Sequence, residues 1–280
     1  MNVKINSHAK TVAGFGDEWN RFDQTGMAEA ETQRLFDCYF SIFPWERLPA
    51  NAVGFDLGCG SGRWAKVAAR LVGTLHCIDP SSAIDVARRN LASLPNCQLH
   101  HAGVDSMPLE PKSMDFGYSL GVLHHIPDTQ AALTACVSKL KPDAPFLLYL
   151  YYALDNKPLW FRTVWRLSDV LRRVISAMPH GLRYVSSQIL AVTVYWPFAR
   201  FAWLAEKLGA GVGNFPLCAY RNCSFYVMRT DALDRFGTSL EQRFSRAQIQ
   251  TMMETAGLGN ISFREAAPYW CAVGFTASEN

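Results

Sequence analysis

The sequence lacks paired cysteines. Its eight cysteines form no Cys-x-x-Cys pair and stand in no Cys/His spacing suited to zinc. That excludes a disulfide scaffold and a zinc site, and it implies reduced thiols in a cytoplasmic protein with no bound metal. A dominant charge of one sign is missing too. A formal net charge of +3 over 280 residues is too balanced to argue for a nucleic-acid partner, and none is expected. The opening residues, MNVKINSHAKTVAGFG, contain no apolar run of the kind a secretory signal carries. The longest apolar stretch, residues 189–209, is interrupted by Pro197 and Arg200 and is too broken to span a bilayer. Repeats and low-complexity tracts are absent.

What is there is apolar material in regular portions. With 49% hydrophobic and 18% charged residues, the chain can bury a substantial core as one large domain or one domain with an insertion. Five strand-like runs lead the pattern: AVGFDL, TLHCID, CQLHHAG, DFGYSLGVL and PFLLYLYY. Between them lie helical patterns, among them RWAKVAARL, with Trp64, Val67, Ala68 and Leu71 at helical spacing and Gly73 beyond its end. This alternation predicts a parallel sheet with helices on both faces. After a helix opened by a capping box at Ser245 and Gln248 and closed by Gly257, NISFREA and YWCAVGFTA predict an antiparallel edge hairpin. The expected architecture is α/β, a Rossmann-like, doubly wound and mostly parallel seven-stranded sheet with a helical insertion. Four segments follow: an N-terminal helical lid at 1–50, a cofactor-binding core at 51–152, the insertion at 153–228, and a helix with hairpin at 229–280 that completes the core.

The chemistry concentrates after the first strand. In DLGCGSG, Gly58, Gly60 and Gly62 allow a sharp turn and a close backbone approach to a ligand at a helix start. Asp79 ends the next strand, 21 residues after Gly58, where a carboxylate accepts ribose hydroxyls. The competing reading makes Asp79 a helix N-cap, a role open equally to Ser81 or Ser82.

VGFDLGCGSGRWA, CIDPS, VDSMPLEPKSMDFGYSLGVLHHIPD and VSKLKPDAPFLL together resemble the successive signatures of class I S-adenosylmethionine-dependent methyltransferases. The nearest branch is the small-molecule group that includes ubiquinone and menaquinone methyltransferases, and the likeness covers about residues 50–152 plus the terminal hairpin. It implies S-adenosylmethionine as cofactor. Asp56, Gly58, Cys59, Gly60 and Gly62 would hold its methionine half, Asp79 and Pro80 its ribose, and Val104 and Asp105 its adenine. Leu120 and Gly121 would lie beside the sulfonium.

Two departures stand out. Ala102, Gly103 and Val104 replace the usual Gly-Asp-Ala, so Asp105 is the candidate substitute for the missing adenine contact. Asp143 and Ala144 replace the usual Gly-Gly around the turn of LKPDAPF. SLGVLHH stands where amino-directed nucleic-acid methyltransferases carry an Asn/Asp-Pro-Pro-aromatic motif, which argues against methylation of base amines.

The acceptor side leaves alternatives open. His124, ahead of His125, is a candidate general base for a hydroxyl nucleophile; capping or packing is the other reading. Tyr149, Tyr151 and Tyr152 either line the acceptor pocket or pack. Trp19, with Phe15 and Phe22, either closes over the cofactor as a lid or packs an N-terminal helix. Trp160 and Trp196 head aromatic helices that fit an acceptor cap, a homodimer interface, a basic surface resting on a membrane, or plain core packing. The activity expected is methyl transfer to a small, hydrophobic acceptor, at oxygen or carbon, by in-line displacement. The rivals are a nicotinamide-dependent oxidoreductase, disfavoured by a GxGxG loop in place of GxGxxG, and a cofactor-binding protein without catalysis.

Overall fold

A computed structural model describes residues 6–278; residues 1–5 and 279–280, the outer ends of the expected lid and hairpin segments, lie outside it. The chain divides into two units. Met1–Gln24, Thr32–Ala153 and Leu240–Asn280 form the first, and Thr25–Glu31 with Leu154–Ser239 the second.

The first unit is built on seven strands: β1 (Val53–Leu57), β2 (Thr74–Asp79), β3 (Cys97–His101), β4 (Phe116–Leu120), β5 (Pro145–Tyr149), β6 (Leu258–Phe263) and β7 (Ala272–Thr276). Their order is β3-β2-β1-β4-β5-β7-β6. All neighbours are parallel except β7, which runs antiparallel to β5 and β6. This is the doubly wound sheet with an edge hairpin that the alternating pattern predicts.

Alternation explains the two-sided core. Phe146 and Leu148 of β5 join Phe55 and Leu57 on one face, while Leu147 joins Phe116 and Tyr118 on the other. A strand apolar at every position is one buried on both sides. The hairpin strand β6, at the sheet edge, is mostly exposed.

Ten helices are described: α1 (Ala9–Arg21), α2 (Glu29–Phe40), α3 (Ala65–Ala68), α4 (Ala83–Asn90), α5 (Thr129–Val137), α6 (Leu159–Ala177), α7 (His180–Leu190), α8 (Trp196–Lys207), α9 (Phe225–Gly237) and α10 (Arg246–Thr255). The Ser245–Gln248 capping box opens α10, and Gly257 follows it with φ +95°. One helical expectation is shortened. After α3 the chain tightens into a 3₁₀ turn at Ala69–Leu71, so Trp64 and Val67 are buried but Leu71 is exposed. Three residues per turn carry the last apolar position off the buried stripe.

The second unit departs further. Where two aromatic helices were expected, there are α6, α7 and α8, the last two joined without a break by a π-helical turn at Ala191–Tyr195. Pro197, in the first turn of α8, has no N–H to give the preceding turn, and the widened turn absorbs that loss. The apolar stripe is not core. Trp160, Val164, Leu167, Leu171 and Val174 on α6 are all exposed. The opposite face of α6 carries the buried polar residues, Asp169, Arg172 and Ser176.

The reason lies at the end of α9. Arg172 Nη1 donates to the Thr238 carbonyl at 3.0 Å, and Arg183 Nη1 donates to the Gly237 carbonyl at 3.1 Å. Two cations thus satisfy carbonyls at a helix C-terminus, where the helix dipole favours positive charge. Asp169 Oδ1 accepts from Arg172 Nε at 2.6 Å, and its Oδ2 from Arg173 Nε at 2.9 Å. The small core of this unit is then left to Ile175, Ala191, Tyr195, Ala199, Met228, Ala232 and Phe236.

Burial pushes the Asp169 carboxyl up, but the two arginines outweigh it and hold it below the usual carboxylate range. Its stabilisation is therefore present above the unfolded value of about 3.9 and is lost as pH falls through the lower folded value. Arg172→Ala leaves Asp169 short of a partner and the Thr238 carbonyl uncapped. A loss of about 3 kcal/mol in denaturant-unfolding stability at neutral pH is expected, shrinking in acid as Asp169 is protonated.

Candidate functional site

The site begins with the loop between β1 and α3. Gly58, Gly60 and Gly62 all have positive φ, +78°, +54° and +79°. Backbone there is strained for any residue with a Cβ. Space is tight as well: a Cβ on Gly60 would lie 2.9 Å from the Trp19 indole nitrogen, and one on Gly58 would lie 2.3 Å from Val122. The Gly58 and Cys59 amides donate to the Ile78 carbonyl at 2.7 and 3.1 Å, which ties the loop to the end of β2. Cys59 is buried, and burial with the nearby Asp79 and Asp56 carboxyls pushes its thiol well above the usual range.

Asp79 completes the turn. Its Oδ2 accepts from the Gly60 amide at 2.9 Å, and its Oδ1 accepts from the Ser81 amide and hydroxyl at 2.8 and 2.6 Å. The N-cap reading fails: Ser82 is the cap residue of α4 and makes no side-chain cap bond. Burial raises the Asp79 carboxyl above its ordinary value against these three donors. Pro80, beside it, is exposed and offers its carbonyl to His101 Nε2 at 3.0 Å.

Asp56, on β1, is buried, and its Oδ2 has no hydrogen-bond partner within bonding distance among the described residues. Burial drives its carboxyl well above the usual range; the neighbouring Tyr118 hydroxyl works the other way, and the Asp79 carboxyl adds to the rise. Such a carboxylate has capacity for a further donor, which a ligand amino group could supply. The Ser61 hydroxyl is buried in the same condition. Gly121, at φ +77°, has nothing within 4 Å of where a Cβ would stand, so this glycine faces open space. A glycine loop open on one side at Gly121, with the buried Asp56 carboxyl at one end and Asp79 at the other, fits a nucleoside that carries an amino acid. Leu120 is packed in the core with Trp64, and Val104 in the core with Phe55.

The N-terminal segment lies along this cradle. At one end Asn6 brackets Asp128: its Nδ2 donates to the Asp128 carbonyl at 2.7 Å, and its Oδ1 accepts from the Asp128 amide at 2.8 Å. The Asn6 amide donates to Asp105 Oδ2 at 2.6 Å. Asp105, read from sequence as an adenine contact, thus holds the segment's start. Gly16 of α1 sits against Ser82, and Trp19 reaches the Gly60 loop. Arg63 stands 5.8 Å from the Trp19 ring and 4.1 Å from the Trp64 ring. Neither Asn6 nor Arg63 was evident from sequence, since each works through a contact far along the chain or between two rings.

At the carboxyl end of β4, a 3₁₀ turn at Leu123–His125 carries both histidines, and both are buried. His124 lies 3.9 Å, ring to ring, from both His125 and Tyr151, and neither of its nitrogens has a hydrogen-bond partner among the described residues. Burial, then the His125 and Arg243 charges, pushes it well below the usual imidazole range. His125 differs. Its Nδ1 meets the Leu240 carbonyl at 2.6 Å, and its ring lies 4.9 Å from Phe15.

The segment Leu240–Phe244 had no sequence signal, being neither periodic nor a motif. It holds the site from below: the Gln242 amide donates to the His124 carbonyl at 3.0 Å, and Arg243 lies 5.1 Å from the Tyr151 ring. Of the three tyrosines, Tyr149 packs on Tyr39 and Tyr151 on His124, while Tyr152 turns to Tyr269. Trp160 and Trp196 belong to the helical unit and are about half exposed, at 52% and 49%.

Comparison with known proteins agrees with this geometry. Residues 55–148 match a family model described as a methyltransferase domain. A ubiquinone biosynthesis O-methyltransferase of Xanthomonas campestris is 33% identical over 136 residues, 48% of this chain and 55% of that protein. Its counterpart in Albidiferax ferrireducens is 34% identical over 91 residues, 31% of this chain and 36% of that protein. A Schizosaccharomyces pombe tRNA (carboxymethyluridine(34)-5-O)-methyltransferase is 27% identical over 114 residues, 39% of this chain and 46% of that protein. The chain therefore spans about half or less of the length of the curated relatives it matches. Among solved structures, an O-methyltransferase family protein from Burkholderia thailandensis superposes with a TM-score of 0.53 at 13% identity, covering 89% of this chain and 57% of that one. The methyltransferase crystallised with the Haloferax volcanii Trm112 activator gives 0.52 at 13% identity over 95% and 99%.

The glycine loop, the buried Asp56 and the sheet order agree with the match of residues 55–148 to a methyltransferase domain, of the class I S-adenosylmethionine-dependent kind. That stretch is similar to the ubiquinone biosynthesis O-methyltransferases just described.

Two measurements check the site. Calorimetry should show binding of S-adenosylhomocysteine and none of NAD, with Gly60→Val abolishing it and Trp19→Ala weakening it about tenfold through loss of an aromatic contact. Stability should also fall as pH drops below about 6.5, because the unfolded chain protonates His124 and the folded chain resists it. His124→Phe should flatten that slope by up to about 1.4 kcal/mol per pH unit, read from urea midpoints at pH 7 and pH 5.

Proposed function

We propose that this chain transfers a methyl group from S-adenosylmethionine to a hydroxyl of a small, largely apolar acceptor, and that His125 takes the hydroxyl proton. The observation that carries this reading is the His125 Nδ1 contact with the Leu240 carbonyl at 2.6 Å. A carbonyl oxygen only accepts, so Nδ1 bears the proton and Nε2 keeps the lone pair a base needs. The ring stands just past the end of β4, where open α/β sheets take their ligands. His124, pushed toward the neutral form by burial, packs against His125 and Tyr151. The proposal therefore ranks His125 ahead of His124, the reverse of the order suggested by sequence.

Bound S-adenosylmethionine supplies a methyl group made electrophilic by its positively charged sulfur. The chain's own residues do the rest. Asp56 takes the amino group, Asp79 the ribose and Trp19 shields the loop from water, so alignment provides most of the acceleration. Tyr149 and Tyr151 form an aromatic wall for the acceptor. The O-methyltransferase relatives support oxygen as the accepting atom.

Lipid extract incubated with methyl-labelled S-adenosylmethionine and the protein should yield a labelled product that partitions into organic solvent. His125→Ala should lower kcat on that acceptor about a hundredfold, remove the fall in rate at low pH, and leave S-adenosylhomocysteine affinity unchanged. His124→Phe should keep most of the rate. Label found only in RNA would instead place the acceptor in the class of the tRNA-modifying relative.

A further inference from the structure

Eighteen of the nineteen exposed large hydrophobic residues among those described lie in the second unit; Leu71 is the exception. Fifteen of the eighteen lie on three successive helices, α6, α7 and α8. On α6 two adjacent stripes are bare, represented by Trp160, Leu167 and Val170, and α8 adds Trp196, Phe201 and Trp203. A contiguous apolar surface of this kind on a protein in water marks an interaction site. The helices are also inverted in polarity. Asp169 and Arg172 of α6 and Arg183 of α7 point inward into hydrogen bonds, while the aliphatic side chains point outward.

Charge decides the occupant. Leu154–Ser239 carries eleven Lys and Arg against five Asp and Glu, although the whole chain is only +3. Along α6, α7 and α8 the acids are Asp169, turned inward onto two arginines, and Glu206, held by Arg221 at 2.8 Å. Arg166 and Lys207 are exposed among the apolar residues, so the surface pairs apolar groups with cations and offers no unneutralised acid. A second copy would meet this face with the same cations, since a two-fold interface is self-complementary. An anionic lipid surface meets both features at once: acyl chains take the leucines, headgroups take Arg and Lys, and tryptophan favours the boundary between them. No helix among the described residues is long and apolar enough to cross a membrane.

We propose that the helical unit seats the protein on the surface of an anionic lipid bilayer, inserting the outer faces of α6 and α8. This stands on the second unit alone and is independent of the proposed methyl transfer.

The test is flotation of the full-length protein with vesicles of phosphatidylcholine, with and without about one-third phosphatidylglycerol. At least about tenfold more protein should float with the anionic vesicles, and part of it should stay bound in high salt because apolar insertion is not screened. The Leu167→Asp, Val170→Asp double variant should lose flotation while keeping the wild-type melting temperature, since both residues are exposed. Arg166→Glu with Lys207→Glu should abolish the preference for anionic vesicles. Failure of the wild type to float on either vesicle overturns the proposal. So does a wild-type dimer in light scattering that Leu167→Asp, Val170→Asp converts to monomer without any change in flotation.

Discussion

The hydrogen bond from the Gly60 amide to the Asp79 carboxylate links the two strands on which the site depends. It joins the loop after β1 to the end of β2, and it requires Gly60 in a left-handed conformation with its N–H turned inward. The turns at Gly58 and Gly62 are tied down beside it: the Ile78 carbonyl takes the Gly58 and Cys59 amides, and the Gly62 amide donates to the Cys59 carbonyl at 2.8 Å. Trp19 then finds a flat backbone to rest against, and the N-terminal segment has a place to lie. A side chain on the loop would disturb all of this together. The oxygens of Asp79 that organise the loop are the same ones that the proposed ribose contact would use.

Much of the first unit was legible because its determinants are local. Strands apolar at every position, a glycine turn at a strand end and a Ser/Gln cap are each written within a few adjacent residues, and they imply the sheet order through general rules of chain connection. The glycine loop and Asp79 were legible for the same reason. His125 was harder to separate from His124. The difference between them comes from the backbone carbonyl of Leu240, 115 residues away, and a carbonyl leaves no trace in residue type. The contact of Asp105 with the backbone amide of Asn6 was hidden in the same way.

In the second unit the periodicity was visible but its direction was not. A stripe of Trp160, Val164, Leu167 and Leu171 shows that a helix has an apolar side, and habit places that side inward. The opposite side of α6 is drawn in instead, because Arg172 and Arg183 satisfy carbonyls at the end of α9, 66 and 54 residues further on. Guanidinium groups bound to carbonyls and a carboxylate tolerate burial that an unpaired charge does not. What results is a unit whose polar bonds hold it together and whose apolar groups are left for its surroundings.

The π-helical turn at Ala191–Tyr195 gives this rod one residue of slack. A π turn holds about one residue more than the α-helical turn it replaces, so losing a single residue there would let the chain close into a continuous helix while everything beyond kept nearly the face it now presents. Ala199 and Ala202, both fully buried, would stay in the core. A deletion elsewhere in α7 or α8, with the π turn kept, would instead turn the residues beyond it by about 100°.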